Sequence, residues 1–365
     1  MNALYYPGSG CWVSDQWKFN ELKTIVLENE LLRIVILVDK GTDIVEFRYK
    51  PANVDFLLQM PTGIRNPKHD VSSAPNSGTF LDYFSGGWNE VLPNGGPFVN
   101  YRGAELGQHG EISLVPWGCA IIKHTAKQVI VRFSVDAIRT PFSVEKTLTL
   151  NANEAKLYIE ETLTNRAGES VHCMWGQHIA FGRPFLDECA VIDVPDCKFL
   201  VHEAMDGYEP RRFQPESISA INQVPAADGS GVVDARDVPA YGGAKAQEMA
   251  YLTELQDGWY AISNPHKNAG FGVRFDHSLF KYIWYWQQLG DVASGYPWWG
   301  KLHCTALEPW TSYPTNGLND AVNNGSALQL AAGETVSHRL IATAFTPEGR
   351  VREVDKDGNV KFIGA

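Results

Sequence analysis

The chain has 365 residues, 44% hydrophobic and 20% charged, a balance that excludes a disordered polymer and supplies enough apolar mass for a large core. Its 42 acidic side chains outnumber 31 basic ones, giving a net charge of −11, and no lysine–arginine stripe offsets this; a nucleic acid is therefore a poor partner. Apolar runs such as the one around Ile34–Val38 are too short to cross a bilayer, and Met1–Tyr6 lacks the basic-then-apolar order of a signal peptide. The expectation is a cytoplasmic protein with no membrane partner.

Read in chain order, the dominant period is two. Strand signals open at Thr24–Leu27, Arg33–Val38 and Asp43–Arg48, and residues 60–79, rich in Pro, Asn, Ser and Gly, read as a long loop. Gln128–Val135 resumes the strands. Phe142, Val144, Leu148 and Leu150 then share one face while Glu145, Thr147 and Thr149 share the other. After the turn residues Asn151–Ala155, the alternation returns as Leu157, Ile159, Glu161 and Leu163, which predicts an antiparallel hairpin. A second long loop covers 205–246, and strands follow at Gly258–Ile262, Gly270–Phe275 and His338–Ala344. Both loops read either as rims or lids over a cleft or as solvated excursions.

Helical periodicity is scarce, and 33 Gly and 20 Pro cut the chain into short pieces. The fold class predicted is all-β, a large antiparallel sandwich. Because the strand pattern continues on each side of both loops, the chain reads as one domain over residues 1–365. Six scattered cysteines (Cys11, Cys119, Cys173, Cys189, Cys197 and Cys304) form no Cys-x-x-Cys pair. They read as buried thiols, and a finger-type zinc site is excluded.

Four segments combine glycine, aromatic and polar residues beyond what core packing requires. They are Phe84-Ser85-Gly86-Gly87-Trp88-Asn89-Glu90, Gly107-Gln108-His109-Gly110-Glu111 through Trp117, Met174-Trp175-Gly176-Gln177-His178-Ile179-Ala180-Phe181-Gly182, and Leu307-Glu308-Pro309-Trp310-Thr311-Ser312-Tyr313-Pro314. Taken singly, His109 reads as a structural histidine bonded to Glu111 or to a carbonyl, and His178 as a satisfied core histidine. Glu308, following an apolar run, is costly to bury without a partner.

As an ordered set, His-Gly-Glu, Trp-Gly-Gln-His-x-x-Phe-Gly and Leu-Glu-Pro-Trp-Thr-Ser-Tyr-Pro resemble the aldose 1-epimerase (galactose mutarotase-like) family. The resemblance implies a β-supersandwich whose cleft binds a small-molecule carbohydrate, with Glu308 as catalytic base, His178 as acid and His109 holding the sugar near its ring oxygen. Anomer exchange opens and recloses the ring by moving protons to and from the C1 hydroxyl and the ring oxygen, and it calls for no metal or organic cofactor. Trp88, Asn89, Glu111, Trp117, Trp175, Gln177 and Trp310 are the candidate substrate-binding residues. Arg102 and Lys301 are candidates for an anionic group on the substrate, and Asp234 and Asp237 for a sugar-binding aspartate. No arginine stands in the segment Gly86–Glu90, where the galactose mutarotases carry one, so their sugar specificity is not carried over.

Two further readings stay open: a sugar-binding or sensing protein without turnover, and a lyase or glycoside hydrolase on the same fold in which Glu90 or Glu111 pairs with Glu308. A metal held by His109, Glu111 and His178 lacks an evident further ligand.

Overall fold

A computed structural model describes residues 10–72, 79–205, 209–243 and 245–364. The reading of Met1–Tyr6, and the parts of the two long loops at 73–78, 206–208 and 244, lie outside the described residues.

Two large antiparallel sheets form most of the protein, with four two-stranded sheets beside them among the described residues. The larger has twelve strands, and its central part runs Asp43–Tyr49, Trp88–Val91, Gly176–Gly182, Cys304–Trp310, Tyr282–Leu289 and Ala246–Thr253. The hairpin-linked strands Trp12–Phe19, Leu22–Glu28 and Leu32–Leu37 continue it on one side. The smaller has eight strands and includes Gln128–Asp136, Phe142–Asn151, Lys156–Asn165, Thr335–Phe345, Ala269–Arg274 and Trp259–Asn264 in neighbouring order. The sheets pack through their apolar faces: Phe271 of the smaller sheet meets Phe47 and Phe181 of the larger, with ring centroids 5.1 and 5.3 Å apart. This is the all-β sandwich expected from the period-two pattern.

The predicted hairpin forms in the register Phe142↔Asn165 to Leu150↔Leu157, and Phe142, Val144, Leu148 and Leu150 are buried. Lys146 lies on the same buried face, opposite Glu161. Its ammonium pairs with Glu90 across the sandwich and approaches Glu161 at 3.6 Å; Glu161 also binds His338 at 2.7 Å and Gln177 at 2.9 Å. The core between the sheets therefore encloses a charged, hydrogen-bonded knot.

The second long loop is only in part a rim. Met205, at the start of the second, reaches the cleft described below, but Phe213 within it packs on Phe199 and Tyr285, and the stretch carries the short strands Ile218–Ser219, Val224–Pro225 and Val232–Val233. The first loop leads into the short helix Thr79–Tyr83, whose Phe80 and Leu81 line the cleft. Cys11, Cys173 and Cys304 are buried as expected. Cys119, Cys189 and Cys197 are half-buried, so the buried-thiol reading holds for three of the six. Among the described residues, no helix is long and apolar enough to cross a membrane.

Candidate active site

Neighbouring strands of the larger sheet bring His178 and Glu308 together. Gly176 pairs with Trp310 and Ala180 with Ala306, so the same ladder sets His178 against Glu308. Paired residues project to one face of a sheet. That face turns away from the smaller sheet, because the adjacent Gln177 points the other way and bonds Glu161 there. The His178 Nε2 lies 3.6 Å from the Glu308 Oε1, and both side chains are buried. Glu308 Oε2 accepts a hydrogen bond from Trp310 Nε1 at 2.9 Å, while His178 Nδ1 has no partner among the described residues.

His109 approaches from a loop. Its backbone is left-handed (φ 56°) and that of Gly110 is also left-handed (φ 75°). A Cβ on Gly110 would stand 2.1 Å from the Leu92 carbonyl oxygen, so a side chain there would push the loop off the sheet. The ring sits 5.6 Å from His178 and 4.6 Å from Phe80, centroid to centroid. The Gly96 N–H donates to His109 Nδ1 at 3.1 Å, which leaves the neutral ring carrying its proton on Nε2 as a donor.

Beneath these groups, Trp310 and Trp284 stack at 3.9 Å with planes 15° apart. Glycine makes the stack possible: a Cβ on Gly176 would fall 2.3 Å from the Trp310 ring. The floor thereby aims the Trp310 N–H at Glu308.

The three polar groups open into a cavity of about 340 Å³. Phe84, Met249, Trp284, Trp286 and Trp298 form much of its wall, with Gln108, Thr315 and Asn316 on its polar side. Phe84 and Trp286 lie 5.4 and 5.9 Å from the His178 ring. A second hollow of about 270 Å³ lies elsewhere on the larger sheet, over Val26, Val35 and Val45. Of its charged residues Lys18, Arg33 and Glu46, the last two pair with each other at 3.4 Å, and it contains none of the motif histidines or Glu308.

Burial sets the protonation of the pair. It pushes the Glu308 carboxyl up to about 8 against the Trp310 hydrogen bond, and drives His178 down to about 4. His109 is lowered well below the ordinary histidine value, first by burial and then by His178. Near neutrality the site holds a carboxylic acid beside two neutral imidazoles.

None of the seven residues expected to bind substrate is in the cavity wall, and the structure gives each a different place. Trp88 donates to Gln177 at 2.7 Å and Trp175 to Glu90 at 2.8 Å, both toward the smaller sheet. Gln177 belongs to that same inner layer. Trp117 donates to the Ile112 carbonyl at 3.0 Å, and Lys146 stands 5.1 Å from its ring. Asn89 is fully buried as the register partner of His178. Glu111 accepts hydrogen bonds from the backbone of Ile138, Arg139 and Thr140 and from the Thr140 hydroxyl, so it pins a loop instead of bonding His109. Trp310 acts from below, through Glu308. With Glu111 so engaged, the trio His109, Glu111 and His178 does not assemble as a metal site, and neither Glu90 nor Glu111 pairs with Glu308.

The other candidates also lie elsewhere. Arg102 pairs with Glu169, Lys301 is exposed outside the cavity wall, and Asp234 is held by Arg236 at 2.6 Å. Asp237 is in an isolated bridge with Val191. The wall residues that the motifs did not point to were marked by another signal, the run Tyr282-Ile283-Trp284-Tyr285-Trp286. Its alternate tryptophans fall on the face of Glu308, through the pairs Trp284↔Glu308 and Trp286↔Ala306.

The fold is that of the galactose mutarotase-like proteins. A candidate aldose 1-epimerase from Klebsiella pneumoniae superposes with a TM-score of 0.66 at 16% identity, over 93% of this chain and 88% of the other. A galactose mutarotase-like protein from Clostridium acetobutylicum gives 0.62 at 15% identity, over 93% and 99%. The Slr1438 protein of Synechocystis sp. PCC 6803 gives 0.61 at 16%, over 91% and 99%. No curated protein matches in sequence. Residues 21–343 match the family described as Domain of unknown function (DUF4432), and the chain belongs to that family.

Proposed function

We propose that the protein is an aldose 1-epimerase-like isomerase that interconverts the α and β anomers of a sugar. The observation that carries this reading is the buried cross-strand pair of His178 and Glu308, 3.6 Å apart and opening into an aromatic-walled cavity. Likeness to mutarotase-like folds supports it.

Ring opening needs one group to take the proton of the C1 hydroxyl and another to give a proton to the ring oxygen as the bond from C1 to that oxygen breaks. Rotation about C1–C2 and reclosure then reverse both transfers. The His178–Glu308 pair carries one proton between about pH 4 and 8, as acid and neutral imidazole at rest. One transfer within the pair gives carboxylate and imidazolium, so that Glu308 accepts from C1 and His178 donates to the ring oxygen. Both distributions hold the same proton, which suits a reaction whose two halves are mirror steps. His109, a fixed Nε2 donor, holds a sugar oxygen in place.

Two-dimensional exchange NMR across a sugar panel tests this. Glu308→Gln and His178→Asn are each expected to slow anomer exchange about 10²- to 10⁴-fold. Exchange at the wild-type rate in either variant removes that residue from the mechanism.

A further inference from the structure

We infer that the sugar taken by this cavity is a neutral 6-deoxyhexose, with a methyl group where common hexoses carry a hydroxymethyl or a phosphate ester. This rests on reading the cavity as a sugar site, and it deepens that reading.

Charge comes first. Among the described residues lining the cavity there is no lysine or arginine, and its carboxyl group is Glu308. A phosphate or carboxylate on the sugar would be buried beside an acidic group without a counter-charge. Arg102 and Lys301 do not line the cavity, and Arg102 is already paired with Glu169.

The proposed mechanism brings the ring oxygen to His178, and C5, which bears the exocyclic carbon, is bonded to that oxygen. The exocyclic group therefore falls among the neighbours of His178. Apart from Glu308 and His109, which the reaction engages, these are aromatic: Phe84 at 5.4 Å, Trp286 at 5.9 Å and Phe80 at 6.3 Å, with Trp298 packed on Phe84 and Trp286. Apart from indole N–H groups, that wall is carbon and offers a hydroxyl no acceptor.

The polar count agrees. With Glu308, His178 and His109 engaged at C1 and the ring oxygen, Gln108, Thr315 and Asn316, the last already donating its amide N–H to Glu203 at 3.0 Å, remain on the wall for the hydroxyls at C2, C3 and C4. A 6-hydroxyl would be a fourth claimant, desolvated against the aromatic side.

The experiment uses the wild-type protein and galacto-, gluco- and manno-configured sugars, each with a hydroxymethyl, a methyl or a phosphorylated C6. Exchange NMR gives kcat/KM for each, and a titration followed on the protein's own NMR signals gives affinity separately. In the configuration turned over fastest, the methyl form is expected to exceed the hydroxymethyl form about 10- to 100-fold, with no detectable use of the phosphate. Equal or better use of the hydroxymethyl or phosphate form overturns the inference. If nothing is turned over but the methyl forms bind most tightly, the catalytic reading falls and this one stands. If no member of the panel binds, this one falls.

Discussion

A carboxyl group buried in the middle of a sheet is costly in the folded state. Glu308 goes from an ordinary 4.5 to about 8 on folding, because burial disfavours its charged form. The sign follows: the penalty is absent below about pH 4.5, grows as pH rises, and levels off above about 8. Glu308→Gln removes the ionisable group and keeps an oxygen for the Trp310 N–H. It is expected to melt above wild type at pH 7, by on the order of 3 kcal/mol. Thermal melts from pH 5 to 8 check this, and a stability difference that stays flat with pH would contradict it. The same scale explains what the motifs conveyed. Gln177 and His178 are adjacent letters, yet they face opposite layers of the sandwich. Proximity to a histidine in sequence therefore drew Trp88, Trp175 and Gln177 into an expected pocket that they back from behind.

Strands and their pairings decide which side chains meet. The strands at Phe142–Asn151 and Lys156–Asn165 were legible because one face is apolar and the other wet, which leaves a period of two. The strand Tyr282–Leu289 is buried along nearly its whole length, so no wet face distinguishes the cleft tryptophans from core ones. Lys146 breaks the apolar stripe of its strand; its partner Glu161 lies opposite it in the legible hairpin, whereas Glu90 comes from a strand of the other sheet distant in sequence, and the letters give no hint of that second contact. Since Lys146 is the ammonium facing both carboxylates, Lys146→Met is expected to cost about 3–5 kcal/mol by leaving buried acid unpaired. Urea unfolding measures this, and a loss under 1 kcal/mol would show that the knot is not held by charge. Gly176→Ala places a methyl against the Trp310 ring, and it is expected to lower both stability and anomer exchange. A variant with wild-type melting and exchange would show that the tryptophan floor does not orient Glu308.

At the scale of the molecule, the smaller sheet covers one face of the larger, and the proton-carrying pair stands on the opposite face. Alternation and turn residues made an antiparallel sandwich legible, whereas its particular architecture was legible through the ordered motifs around His109, His178 and Glu308. The ladder that sets His178 against Glu308 joins strands far apart in the chain, and pairing of that kind leaves no local trace. In the proposed chemistry this pair works by holding a single proton. The most direct measurement is the pH dependence of kcat/KM for anomer exchange by the whole protein. A plateau falling away below about pH 4, where His178 takes a second proton, and above about pH 8, where Glu308 loses its own, is the predicted result. Enzyme-dependent exchange that continues unchanged beyond both limits, in protein still folded there, would contradict the claim.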